Sequence, residues 1–208
     1  MDVQFYGANC VALSYKGTRL VVDDNLAGLG GKAVLKNDDV ALFTGAHDTP
    51  ANLSLKLLVD QPGEYEVGPF SILGVAAQSH IDESGLAATM YKIMADDITL
   101  LFTGHVSADI TDAQLEASGP VDVLFVPVGG NGYTLDPVGA LKLIKEIEPK
   151  LVIPTHYADK GLNYQVPQQS LEQALKELAM EPAQRTPKLK LKPADLTETT
   201  QLIVLEKA

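Results

Sequence analysis

Four histidines are the only imidazoles in the chain, and each closes a short apolar run. His47 ends DVALFTGAH, His80 ends FSILGVAAQSH, His105 ends DITLLFTGH and His156 ends KLVIPTH. Neutral imidazole is the commonest metal ligand among side chains, and loops at the ends of strands are where ligands distant in sequence converge on a rigid scaffold. The pattern therefore predicts that at least three of the four share one site, whereas any single one of them reads equally as a hydrogen-bonded turn residue. Cys10 is the only cysteine, so a bound ion would rest on imidazoles and carboxylates rather than on thiolates. Such a donor set suits one zinc ion first, with copper, nickel or iron as alternatives. Four bound imidazoles would close a tetrahedral, structural site; three would leave a position for a water whose pKa falls toward about 7.

Several neighbours of the histidines could assist. Asp48 is the candidate catalytic carboxylate, a general base or an orienting group for an imidazole, against the alternative of a turn residue ahead of Thr49-Pro50. Asp82 stands in a similar relation to His80, and Asp23, at the end of the run Arg19–Val22, reads as a turn cap. Gly129, Gly130 and Gly132 form a loop that either offers backbone N–H groups to an anion or simply makes a tight turn. Tyr133 and Tyr157 are placed to line a cleft or to pack.

The elements that must hold these residues are legible from periodicity. Apolar runs at Val3–Tyr6, Val11–Tyr15, Arg19–Val22, Val40–Thr44, Leu57–Val59, Phe70–Ala77, Ala88–Met94 and Ile98–Phe102 read as strands, several in hairpins turned by Lys16-Gly17 and Asp96-Asp97. The second half alternates. Thr111 with Gln114 caps a short helix, Val121–Val126 is a buried strand, and Asp136-Pro137 opens a helix to about Ile147. Leu151–Pro154 is a strand, Ser170 with Gln173 caps a helix to about Met180, and Gln201–Leu205 closes the series. Strands first and strand–helix alternation afterwards predict an α/β fold of stacked sheets with helices outside, formed by one domain over residues 1–208.

Composition narrows the function classes. Hydrophobic residues at 46% and charged residues at 21% are globular proportions. A formal charge of −11 repels phosphate backbones, and Lys188, Lys190 and Lys192 alternate as the solvent face of a strand, so nucleic acid is not expected as a partner. No apolar run reaches the roughly 20 residues that span a bilayer. With no basic-then-apolar leader at MDVQFYG and no cysteine pair, the expectation is a cytoplasmic protein with a small-molecule partner and no membrane contact.

Three stretches carry a family resemblance: QPGEYEVGPFSILGVAAQSH at 61–80, TDAQLEASGPVDVLFVPVGGNGYTLDPVGA at 111–140 and EPKLVIPTHY at 148–157. Their order and spacing resemble the L-ascorbate-6-phosphate lactonase-like branch of the metallo-β-lactamase superfamily, and FYGANC resembles its F-x-G-H-S-C start with Ala8 in the place of His. The resemblance implies an αβ/βα four-layer sandwich with a metal site at one edge between the sheets. It also implies departures. Where the family reads H-x-H-x-D-H, this chain has Gly45-Ala46-His47-Asp48-Thr49-Pro50, and where a Gly-Asp supplies the bridging carboxylate it has Gly104-His105. His80 and His156 match ligand positions, and the resemblance implies Asp23 as a support for a ligand histidine. The implied function is hydrolysis of an ester, lactone or phosphoester by a mononuclear site of His47, His80, His105 and His156; the alternative is a non-catalytic binding or scaffold module on the same fold.

Overall fold

In a computed structural model of the chain, residues 1–48, 52–81 and 85–208 are described. Thr49, Pro50 and Asp82, singled out above, lie outside them.

The first strands are β1 (Asp2–Gly7), β2 (Cys10–Tyr15), β3 (Thr18–Val22), β4 (Val40–Leu42) and β5 (Leu57–Val59); then come β6 (Gly63–Val67), β7 (Phe70–Ala77), β8 (Ala88–Ala95) and β9 (Ile98–Phe102). Helix α1 (Asp112–Ser118), β10 (Val123–Pro127), α2 (Pro137–Ile147), β11 (Leu151–Thr155) and α3 (Leu171–Leu178) follow. Short β12 (Gln184–Thr186) and β13 (Leu189–Lys190) precede the last strand, β14 (Gln201–Leu205). These strands form a six-stranded sheet in the order β13-β1-β2-β3-β4-β5 and an eight-stranded sheet in the order β12-β14-β11-β10-β9-β8-β7-β6. The α/β sandwich of two sheets expected from the sequence is therefore the fold.

Its layers follow from which faces are apolar. Alternate residues of the two sheets, among them Phe5, Leu13, Leu20, Phe70, Ile93, Leu100, Phe125 and Ile153, meet in the central core. The opposite face of the eight-stranded sheet is apolar as well, because its central strands are parallel and buried on both sides, and all three helices cover it, through Leu115, Leu143 and Leu175 in turn. Each helix begins where its cap requires: Gln114 N donates to Thr111 Oγ1, Gly139 N to Asp136 Oδ1 and Gln173 N to Ser170 Oγ. Over the outer face of the six-stranded sheet the cover is a 3-10 turn, Leu26–Leu29, with Leu35 and Leu162, rather than an α-helix among the described residues.

Strand direction decides where the chemistry sits. Strands β9, β10 and β11 are parallel, and β7 runs the same way because it and β9 each pair antiparallel with β8. Their C-terminal ends, leading to His105, to the Gly129–Gly132 loop, to His156 and to His80, therefore lie along one edge of the sheet. The loop after β4 joins the same edge, since Thr89 N donates to Thr44 O at 2.9 Å beside the start of β8.

Gly104 is the tightest point of this convergence. It has φ +55, and a Cβ there would overlap Thr44 Oγ1 and Cβ. Gly104→Ala should therefore cost about 2 kcal/mol or more, from the left-handed backbone and the overlap together. An unchanged urea midpoint for this variant would show that the β4 and β9 loops part without cost.

Candidate functional site

The centre of this edge is a pair of imidazoles. The rings of His105 and His156 stand 4.7 Å apart, centroid to centroid, at an interplanar angle of 80°. Tyr133 lies 5.3 Å from His105 and Tyr164 lies 5.1 Å from His156, so two phenol rings enclose the pair. His156 is 2% exposed and holds φ +50, a left-handed conformation that turns it sharply out of β11. Its backbone N–H donates to Ala8 O at 2.7 Å, which ties the β1–β2 turn to the same point.

One ring of the pair has a nitrogen pinned. Gln168 Nε2 donates to Val166 O at 2.7 Å, which orients the amide so that its Oε1 faces His156 Nδ1 at 3.2 Å. The proton of His156 is thereby placed on Nδ1, and Nε2 is left with a lone pair. His105 is set by packing instead, edge-on to the rings of His156 and Tyr133. Burial keeps both rings neutral, pushing His105 down to about 4 and His156 down to about 3 from 6.5, with mutual repulsion of the charged forms adding to the shift in His156.

The other two histidines are at this edge but differently engaged. His80 N donates to His105 O at 2.7 Å, so the two loops are stitched by backbone, and the His80 ring is half-buried. His47 stacks on Phe43 at 3.9 Å and directs Nε2 to Asp60 Oδ2 at 3.2 Å. Asp48 is exposed. Among the described residues no three His, Cys, Asp or Glu side chains are grouped so as to hold a metal ion. The single four-imidazole ligand set expected from the sequence is thus one close pair with two neighbours, because stacking on Phe43 and a hydrogen bond to Asp60 hold the His47 ring.

The donor chemistry tests a metal's fit. A two-ion centre does not fit the described residues, since no carboxylate among them is grouped with the pair and the loop that would supply the second ion's ligands offers Gly45 and Ala46. One transition ion is compatible with two neutral, pre-oriented imidazoles, provided a third donor joins them. Sequence reasoning missed Gln168, Tyr164 and Asn9. Asn9 is buried, accepts from Thr155 Oγ1 at 2.8 Å and keeps its Nδ2 without a partner next to His156. Its only signal in the sequence was its place two residues after Gly7, in a turn with no obvious chemistry.

Asp23 supports the edge from below. It accepts from Thr44 N at 2.8 Å and Thr44 Oγ1 at 2.6 Å, and burial raises its carboxyl from 3.8 to about 6 despite those bonds.

This arrangement has a family. The profile of the beta-lactamase superfamily domain matches residues 2–156, and the chain belongs to that superfamily. A Carboxydothermus hydrogenoformans protein named UPF0173 metal-dependent hydrolase is 42% identical over 59 residues, 28% of this chain and 26% of that protein. The matched stretch therefore spans about a quarter of that relative. A Lysinibacillus sphaericus protein of the same name is 23% identical over 194 residues, covering 76% of this chain and 85% of its own length. Among solved structures, a metallo-β-lactamase superfamily protein from Thermotoga maritima aligns with TM-score 0.79 and 25% identity over 99% of this chain and 98% of that one. A metallo hydrolase from Ignicoccus hospitalis shares the fold at TM-score 0.64 and 14% identity, over 100% and 95%.

Burial gives the metal-free protein a definite pH response. A histidine depressed in the fold contributes stability that is present above about 6.5 and lost as pH falls toward its folded value, here about 4 and about 3. Asp23 works oppositely, because a carboxyl raised to about 6 gains stability as pH falls from about 6 toward 3.8. Two histidines against one carboxyl should make the urea midpoint in chelator fall between about pH 6.5 and pH 4. The double variant His105→Asn, His156→Asn should lose that fall and show the rise due to Asp23. Parallel profiles for variant and wild type would mean the two rings are not held neutral.

Proposed function

We propose that the protein is a metal-dependent hydrolase working with one divalent transition ion, zinc first, on an ester, lactone or phosphoester of a small molecule. The observation that carries this is the His105–His156 pair, two buried imidazoles in contact, the second with its Nδ1 on Gln168 Oε1. Membership of the superfamily and the metal-dependent hydrolase names of its relatives support the same reading.

His105 and His156 would hold the ion, and His80 would complete the set from the loop hydrogen-bonded to His105. When bound, the ion supplies Lewis acidity toward a carbonyl or phosphoryl oxygen and toward water. Gln168 keeps the His156 tautomer, and Asn9 Nδ2 is a donor for a substrate oxygen. Tyr133 and Tyr164 restrict water around the rings. Asp48, exposed beside His47, is the carboxylate that would pass a proton to solvent.

A second reading, a binding module without catalysis on the same fold, is favoured by one observation: no three-donor group stands among the described residues. Metal analysis separates the two. Protein made without a polyhistidine tag and equilibrated with zinc should carry about one ion per chain. His105→Ala should lower affinity by at least about tenfold, whereas His105→Asp should strengthen binding of harder ions such as manganese by adding a carboxylate. Wild type with no ion near stoichiometry would remove the hydrolase reading and leave the binding module; an unchanged His105→Ala would remove His105 from the ligand set.

A further inference from the structure

The cover over the outer face of the six-stranded sheet encloses a cavity of about 310 Å³. Of its eleven lining residues four are cationic, Arg19, Lys32, Lys36 and Lys207, and none is Asp or Glu, in a chain with 16 Lys and Arg against 27 Asp and Glu. Two carboxylates stand behind this lining, Asp24 on the N–H groups of Val34 and Leu35 and Asp39 on Arg19 and the Lys36 N–H, so Lys32 and Lys36 carry the positive charge that faces the cavity. Leu26 and Leu162 back the wall, and the half-buried Tyr6 and Val34 give it accessible apolar surface.

Ion pairing shows which charges remain available. Arg19 pairs with Asp39 at 2.5 Å and Lys207 with Asp159 at 2.7 Å, whereas Lys32 and Lys36 make no ion pair among the described residues. Arg19 also donates to Val34 O at 3.3 Å, which holds the basic segment 32–36 against the sheet. A larger cavity of about 530 Å³ near the other end of β11 also has three lysines, but two of them pair with Asp122 and Asp2, and Asp195 lines it, so no surplus positive charge is left there.

The outer cavity has walls that are held in place. Asn163 N donates to Leu29 O at 2.8 Å and Gly31 packs against Leu162, so the 3-10 turn and the loop after β11 are locked together. The same loop presents Leu162 to this cavity and Tyr164 to the His156 ring.

We propose that this cavity binds a small organic anion, with a phosphate or carboxylate head on Lys32 and Lys36 and an apolar body against Tyr6 and Val34. The site stands independently of whether the histidine edge holds an ion. An anion there gains from two exposed cations that make no ion pair among the described residues, and the gain is screened by salt as for any exposed pair. Its apolar body replaces water on the half-buried Tyr6 and Val34 side chains.

The test uses the full chain in EDTA, so that a metal at the histidines contributes nothing. Phenyl phosphate and benzoate are titrated and followed by amide chemical shifts, with benzyl alcohol as the neutral probe and inorganic phosphate as the head group alone. Saturable shifts at residues 32–36 and 162 are expected with both aromatic anions, the stronger of the two identifying the head group. Lys32→Glu, Lys36→Glu should weaken binding by at least about tenfold at an unchanged thermal midpoint, with Lys32→Gln, Lys36→Gln weakening it less. Val34→Ala should weaken phenyl phosphate while leaving inorganic phosphate as it was. Equal binding of benzyl alcohol, a dissociation constant unmoved by charge reversal, or shifts confined to the Lys150 and Gln201 region would each overturn the proposal.

Discussion

A buried imidazole has to be neutral or to be paired with a negative charge, and among the described residues no carboxylate is grouped with the His105 and His156 rings. His156, 2% exposed, is neutral, and its one proton is given to Gln168. That single bond governs much around it. It requires Gln168 to be held by Val166, and Gly129 to lack a side chain, since a Cβ there would overlap both Gln168 Oε1 and the His156 carbonyl. It also requires the chain to leave β11 in a left-handed turn, which places Tyr164 on the far side of the ring. The loop from Asp159 to Gln168, featureless in sequence, is thus the part of the molecule that sets the basicity of the site.

Much of the scaffold was legible because its signals are local. Thr111 with Gln114, Asp136 before Pro137 and Ser170 before Gln173 each cap the helix their residue types call for, and the apolar runs of β1 to β4 and β7 to β11 are strands. The strands that escaped notice are those whose partners lie far away or whose sequence is polar. β6 alternates Glu64 and Glu66 with half-buried neighbours at a sheet edge, and β12 and β13 are short edge strands completed by β14 and β1. Charged, short edges are how a sheet avoids pairing with another molecule, and they erase the apolar periodicity that reveals a strand.

The site was legible to the level of loops and not of rings. Strand direction brings His80, His105 and His156 to one edge, and the bond from Thr89 N to Thr44 O joins the loop that carries His47 to it. What sequence could not supply is the rotamer of His47. Its stacking on Phe43, four residues earlier, and its bond to Asp60, thirteen later, are contacts with the residues that directly follow β4 and β5, two parallel neighbours. Gln168 escaped for a related reason: a glutamine twelve residues from a histidine has no periodic relation to it, and only the return of the loop brings the two together.

On the proposed single-ion reading, the departures from the family pattern form one coherent change. The resemblance implies a centre of two divalent ions, four positive charges, balanced in part by carboxylates of the H-x-H-x-D-H and Gly-Asp motifs. His105 in the place of the bridging carboxylate removes a negative charge from the site and adds a neutral donor. Had the second ion's other ligands stayed, two dications a few ångströms apart would have faced one another without that screen, at an electrostatic cost of several kcal/mol even at a generous effective dielectric. Losing Gly45 and the residues after Asp48 as ligands removes the second ion along with its need for the bridge. One dication among neutral imidazoles then depends for charge balance on its bound substrate, which favours a ligand that brings an oxyanion or develops one as it reacts.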